Sequence, residues 1–269
     1  MAYSLWIEDI GLAHATPLTS LARYWDQMDV FAVHQDGVVY SAWWNGDRWW
    51  KGNPWHGWYR ISGQAFAQRT PIAALSRNRD QIDLFAVGLD GGVYSTWWNC
   101  YPWYGWFRIA DRSFEQQTPI AAVSRDRRRI DLFAVGDDGG VYSAGWSGEP
   151  WWNNPWHDSS PWHGWSRIGG RDFAQRTPVA AVARMPDRMD LFAVGGDGGV
   201  YHAAWGGVWG EWVRVGHRAF AEHTPVAAVA RMPDRMDLFA VGEDSGVYSA
   251  AWNGVWDDWL RLPLQAGVW

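Results

Sequence analysis

The chain has 269 residues, with 23 Lys and Arg against 29 Asp and Glu and a formal net charge of -6. That acidic balance excludes nucleic acid or an anionic membrane as the main partner, because phosphate contacts need a basic face. The composition holds 25 Trp and 30 Gly but one cysteine, Cys100, which excludes an internal disulfide and points to more indole than a core usually absorbs.

Residues 1–15 come first and carry Glu8 and Asp9, without a basic start or an apolar stretch of secretory length. No run approaches the length of a membrane-spanning helix, so the expectation is a soluble product without membrane insertion. Synthesis is expected in the cytosol, with release by lysis or another route that uses no signal peptide left open. This segment either latches onto the last repeat or fills the linker before the first strand. Cys100 reads as a small loop residue rather than a reactive thiol.

From Thr16 onward the chain repeats itself. The dipeptide T-P opens a unit at Thr16, Thr70, Thr118, Thr177 and Thr224, giving repeats 16–69, 70–117, 118–176, 177–223 and 224–269. Each runs through T-P-V-A-A-V-A-R, a short loop, M-D-L-F-A-V-G, a D-G-G turn, G-V-Y-S-A-A-W and W-x-x-W-x-R-I. Four short strand-like segments per unit, bounded by Gly, Asp and Pro, predict an all-β fold. In the second repeat Asp83–Val87 and Val93–Thr96 flank Gly88-Leu89-Asp90-Gly91-Gly92, whose glycines suit a tight hairpin. No helical periodicity interrupts the pattern. Four antiparallel strands at a period near 47, five times over, make a single five-bladed β-propeller domain. The first strand of each unit is rich in alanine (Ala73-Ala74, Ala121-Ala122, Ala180-Ala181, Ala227-Ala228), as suits the crowded innermost position.

Antiparallel neighbours put the first-to-second and third-to-fourth loops of every unit on one rim. That rim gathers the candidate ligand-binding residues. Arg23, Arg77, Arg125, Arg184 and Arg231 end the first strand, beside Asp29, Asp83, Asp131, Asp190 and Asp237 at the start of the second. Trp44, Trp98, Trp146, Trp205 and Trp252 end the third strand. The loop after it delivers Trp55, Trp103, Trp162, Trp209 and Trp256, three residues before the column Trp58, Trp106, Trp165, Trp212 and Trp259. A pyranose needs an aromatic face for its C–H patch and directional donors and acceptors for its hydroxyls. The competing reading makes the same tryptophans wedges between packed sheets, and the Arg and Asp columns internal hydrogen-bonding pairs. The last Trp column fits the wedge role better, the loop column ligand contact.

These landmarks resemble a known family. The unit from Pro178 to Gly216, with its D-L-F, D-G, V-Y and paired-Trp motifs, is similar to the repeat of PLL-type bacterial lectins and, in outline, to the five-bladed tachylectin-type lectins. The resemblance covers all five units and implies carbohydrate binding in blade pockets, with glycans as partners and without metal, cofactor or catalysis. PLL-type lectins have seven blades and this chain five, so the binding mode carries over while the sugar, fucose-like or another monosaccharide, does not.

Symmetry breaks at two long third-to-fourth loops, Asn45–Pro54 and Ser147–Pro161, the latter with Trp151, Trp152 and Trp156. Loops that long and aromatic are often functional. The alternative reading is an enzyme with one site over the central funnel, with His56, His157, Asp158 and His163 as acid–base candidates. Recurrence of the carboxylates once per repeat favours a multivalent binder instead.

Overall fold

The computed structural model describes residues 10–46, 54–61, 63–100, 102–148 and 162–263, and within them every regular element is a β-strand. The strands make five four-stranded antiparallel sheets, the blades of a β-propeller, each sheet taken up by one repeat. The first sheet holds β1 (Thr19–Tyr24), β2 (Gln27–Val33), β3 (Val39–Asn45) and β4 (Trp55–Ile61). The second holds β5 (Ala73–Asn78), β6 (Gln81–Val87), β7 (Gly92–Asn99) and β8 (Phe107–Ser113). The third holds β9 (Ala121–Asp126), β10 (Arg129–Val135), β11 (Gly140–Ser147) and β12 (Trp162–Asp172). The fourth holds β13 (Ala180–Met185), β14 (Arg188–Val194), β15 (Gly199–Trp205) and β16 (Val213–Ala219). The fifth holds β17 (Ala227–Met232), β18 (Arg235–Val241), β19 (Val247–Trp252) and β20 (Leu260–Arg261).

The chain divides into two compact units. One comprises Met1–Leu132 and Ala144–Trp165, the other Phe133–Ser143 and Ser166–Trp269. In the first, β1 lies beside β5 and β5 beside β9; in the second, β13 lies beside β17. The alanine-rich strand of one sheet thus approaches that of the next, which small side chains allow. Second strands form the centre of each sheet, and Leu84, Phe85, Ala86 and Val87 of β6 are wholly buried.

The D-G-G landmark is a hydrogen-bonded corner. Asp90 Oδ1 accepts the Gly92 N–H at 3.0 Å and its Oδ2 accepts the Tyr94 hydroxyl at 3.0 Å. The same Asp–Tyr bond recurs at Asp36–Tyr40, Asp138–Tyr142, Asp197–Tyr201 and Asp244–Tyr248. Gly91 takes φ +76°, and a Cβ there would stand 2.5 Å from the Phe114 carbonyl oxygen, so only glycine fits. That close approach exists because the Phe114 N–H donates to Gly91 O at 2.8 Å, clipping the linker back onto the turn.

Two details depart from the sequence pattern. In the second and fourth sheets the last strand shifts register, between Gly92 and Tyr94 and between Gly199 and Val200 of its partner. Ala110 and Gly216 there take positive φ, and the strand runs on past the W-x-R-I segment to Ser113 and Ala219. A bulge of this kind bends the strand, and Ala110 gives no glycine to announce it. The last strand of the fifth sheet, expected over Trp259–Leu262, is only Leu260–Arg261. Cys100 is exposed just beyond β7, as expected of a loop residue.

Candidate functional site

The repeated tryptophans are first of all joints between sheets. Trp106, Trp165, Trp212 and Trp259 each meet the linker phenylalanine of the preceding repeat (Phe66, Phe114, Phe173, Phe220) edge to face, with ring centroids 4.7–4.8 Å apart. The Trp212 and Trp259 indoles donate to the carbonyls of Ile168 and Val215. The loop column does the same one strand further in. Trp103, Trp162, Trp209 and Trp256 stand near-perpendicular to Phe31, Phe85, Phe133 and Phe192, at 5.5–5.9 Å. Those phenylalanines are 0% exposed. T-shaped pairs of this kind add to the burial of both rings. The expected wedge role of the first column therefore holds, and the loop column shares it. Trp55 differs: it pairs with Trp44 across β3 and β4 and is 42% exposed.

The Arg and Asp columns form forks within each sheet. Arg77 Nε donates to Asp83 Oδ2 at 2.8 Å and its Nη2 to Oδ1 at 3.1 Å. Arg125–Asp131, Arg184–Asp190 and Arg231–Asp237 repeat the bidentate pair, and Arg23 reaches Asp29 through Nε. Burial pushes the Asp83 carboxyl above the usual range and the Arg77 charge opposes it; Asp29 and Asp131 feel the same contest with Arg23 and Arg125. Each guanidinium also covers an indole from the next repeat: Arg23 over Trp98, Arg77 over Trp146 and Arg184 over Trp252, at 4.6–4.7 Å. A cation over an indole face, out of water, is a favourable contact of about 2 kcal/mol. The third-strand tryptophan Trp205 bridges to Trp209 as Trp98 does to Trp103 and Trp252 to Trp256.

Between the second and third repeats, within the first unit, this scaffold leaves a pocket of about 210 Å3. It is built by strand alternation, since i and i+2 of a strand share a face. On β7 that face carries Ser95 and Trp97. Opposite them β6 presents Phe85 and Asp83, and β8 presents Phe107 opposite Ser95. The third repeat closes the other side with Ile130, Trp146 and Trp162, and Arg108 and Ile109 complete the lining. Trp97 stacks on Tyr104 and on Phe107, with centroids 4.8 and 5.2 Å apart and planes within 27°. The pocket thus offers aromatic walls, one carboxylate fixed by Arg77 and the Ser95 hydroxyl. It suits a small ring with an apolar patch and hydroxyl groups; drug-sized ligands take pockets of roughly 300–1,000 Å3.

Of the sequence-derived candidates, the pocket brings together Asp83, Trp146 and Trp162, with Arg77 immediately behind. It adds Ser95, Trp97 and Phe107, which the column pattern does not include. Trp97 has a counterpart in Trp43, which stacks on His56 at 4.8 Å, but the same position is Gly145, Ala204 and Ala251 in the later repeats. The doubled tryptophans Trp43-Trp44 and Trp97-Trp98 were the available signal. His163 Nε2 lies 2.9 Å from Ser147 Oγ, and neither it nor His56 lines the pocket. Trp151, Trp152, Trp156, His157 and Asp158 lie outside the described residues. Among the described residues no cluster of His, Cys, Asp or Glu is placed to hold a metal ion.

Several solved structures share this fold. The BP39L lectin from Burkholderia pseudomallei aligns with a TM-score of 0.59 at 23% identity, over 92% of this chain and 84% of that one. The fucose-specific lectin from Aleuria aurantia aligns at 0.65 and 16%, over 94% and 80%. AofleA from Arthrobotrys oligospora aligns at 0.66 and 12%, over 93% and 73%. The Aleuria lectin is a six-bladed β-propeller, whereas this chain supplies five sheets. At these identities the likeness is one of fold. No protein-family model and no curated protein matches the chain.

Proposed function

We propose that the protein is a non-catalytic, metal-independent lectin that holds a monosaccharide in pockets between adjacent repeats. The reading rests above all on the pocket of Asp83, Ser95, Trp97, Phe107, Trp146 and Trp162. Aromatic walls around a fixed acceptor and a hydroxyl match the two faces of a pyranose. Asp83 is the one carboxylate among the lining residues and its oxygens are held by Arg77, while glycoside hydrolysis ordinarily needs two carboxyl groups across the bond. The lectins of like fold include a fucose-specific one and one in complex with Fucalpha1-6GlcNAc, which favours a 6-deoxy sugar such as L-fucose. Its methyl group would add an apolar edge for the indole walls.

The first repeat carries the matching set Asp29, Ser41, Trp43 and Tyr59 opposite Trp98 and Trp103, so binding is multivalent but not fivefold equivalent. Glycans are the partners, reached from a cytosolic site of synthesis by lysis or a route without a signal peptide.

A glycan array with and without chelator, followed by titration with methyl α-L-fucoside, tests the reading. More than one site per chain, indifferent to EDTA and weakened by Trp97→Ala, is the expected result. Binding to no glycan, or turnover of any, would overturn it.

A further inference from the structure

The position of Ser95 in the third strand is Ser41, Ser143 and Ser249 in three other repeats and His202 in the fourth. His202 lies on β15 opposite Phe192 and stacks flat on it, with centroids 4.9 Å apart and planes 13° apart. Its Nε2 stands 2.7 Å from Asp190 Oδ1, and its Nδ1 accepts the Trp256 indole N–H at 3.3 Å. An indole only donates, so Nδ1 is the bare nitrogen and Nε2–H faces the carboxylate. Asp190 and Trp256 occupy the places that Asp83 and Trp162 hold around the open pocket. Asp190 also takes the Arg184 fork and is 0% exposed.

We infer that His202 is a built-in occupant of the pocket between the fourth and fifth repeats. Its imidazole presents a flat face to the wall, a donor to the carboxylate and an acceptor to the indole, which are the functions a bound sugar would bring. The histidine therefore closes a latent site and sets the number of sugars the chain can hold. The valency statement rests on the lectin reading above; the plug itself does not. The smaller walls beside it, Ala204 and Val213 where the open pocket has Trp97 and Phe107, fit a site that no longer grips a ligand from solution.

The test is His202→Ser, which installs the residue found at this position in the other repeats. Titration with methyl α-L-fucoside should give one site more than the parent, and crystals soaked in the same glycoside should show it between Asp190 and Trp256 only in the variant. Unchanged stoichiometry, with the parental sites still binding, would overturn the inference. If the glycoside binds neither protein, the fucose reading fails, and the crystal structure of the variant still decides the plug. An open cavity with water on Asp190 and the Trp256 nitrogen upholds it; collapsed walls refute it. His202→Asn, which removes the ring but keeps a donor, is read in the same ways should the serine variant not fold.

Discussion

The guanidinium of Arg77 sits 4.7 Å from the ring centroid of Trp146 while its fork grips Asp83, so one side chain joins the second repeat to the third. Its Nη1 adds a bond to the Arg127 carbonyl at 3.4 Å. Because Asp83 and Trp146 both line the pocket, the contact that fastens the sheets also fixes two walls of the candidate site.

The first prediction follows from that geometry. Arg77→Ala leaves Asp83, 5% exposed, without its counter-charge, and breaking a buried pair in this way costs about 3–5 kcal/mol. Arg77→Lys keeps the charge but not the planar fork, and should recover only part of the loss. Arg231→Ala is the control. Its side chain is 61% exposed although it makes the same pair with Asp237, so little change is expected. Urea denaturation of the three variants checks the order; an equal effect at positions 77 and 231 would show that burial does not set the strength of these pairs.

The second prediction separates wedge from wall. Trp209 and Trp256 stand against the buried rings of Phe133 and Phe192, so truncation to Ala opens a cavity and should destabilise the fold by about 3–5 kcal/mol. Trp97 packs only against half-exposed Tyr104 and Phe107 among its ring contacts, so Trp97→Ala should spare the fold. It should weaken sugar binding by about 1–3 kcal/mol, the range of aromatic stacking on other flat ligands. Thermal melts and titration on the same preparations distinguish the two; a Trp97→Ala protein that melts early with unchanged affinity would make that residue structural too.

This contrast explains what the sequence discloses. Features required at every sheet were legible because they are written five times: the T-P start, the Asp–Tyr corner, the glycine at the Gly91 position and the Arg–Asp pair. The same logic misleads about the site. Trp209 and Trp256 recur because each joint between sheets needs a wedge, whereas Trp97, Phe107 and Ser95 acquire meaning by varying between repeats. Trp97 becomes Gly145 and Ser95 becomes His202, and a periodic pattern averages such differences away. Side-chain direction was the other missing piece. Only the pairing of Asp83 with Trp97 and of Ser95 with Phe107 reveals that four residues from three strands share one face.

The third prediction concerns acid stability. Asp197 Oδ2 accepts the Tyr201 hydroxyl at 2.6 Å, and Oδ1 accepts the Gly199 N–H, with Arg171 and Arg214 close by. The tyrosine hydrogen bond foremost, then the backbone N–H and the two arginines, hold its carboxyl below the ordinary range of about 4. Asp244 is lowered in the same way by Tyr248 and the Gly246 N–H. A carboxyl whose value is depressed on folding stabilises the native state above its unfolded value, and that contribution is lost as pH falls through the folded one. Asp29, Asp83 and Asp131, pushed up by burial, lean the other way, stabilising at low pH and less so as pH rises. The parent curve therefore mixes both signs, and the informative quantity is the difference between parent and variant. Asp197→Asn should melt earlier than the parent at pH 7, and the gap should narrow as pH is lowered from about 4 toward 2. Melting temperatures of both proteins across that range check it. A gap that stays constant to pH 2 would mean that the Asp197 charge contributes nothing to the corner and that its hydrogen bonds alone hold the turn.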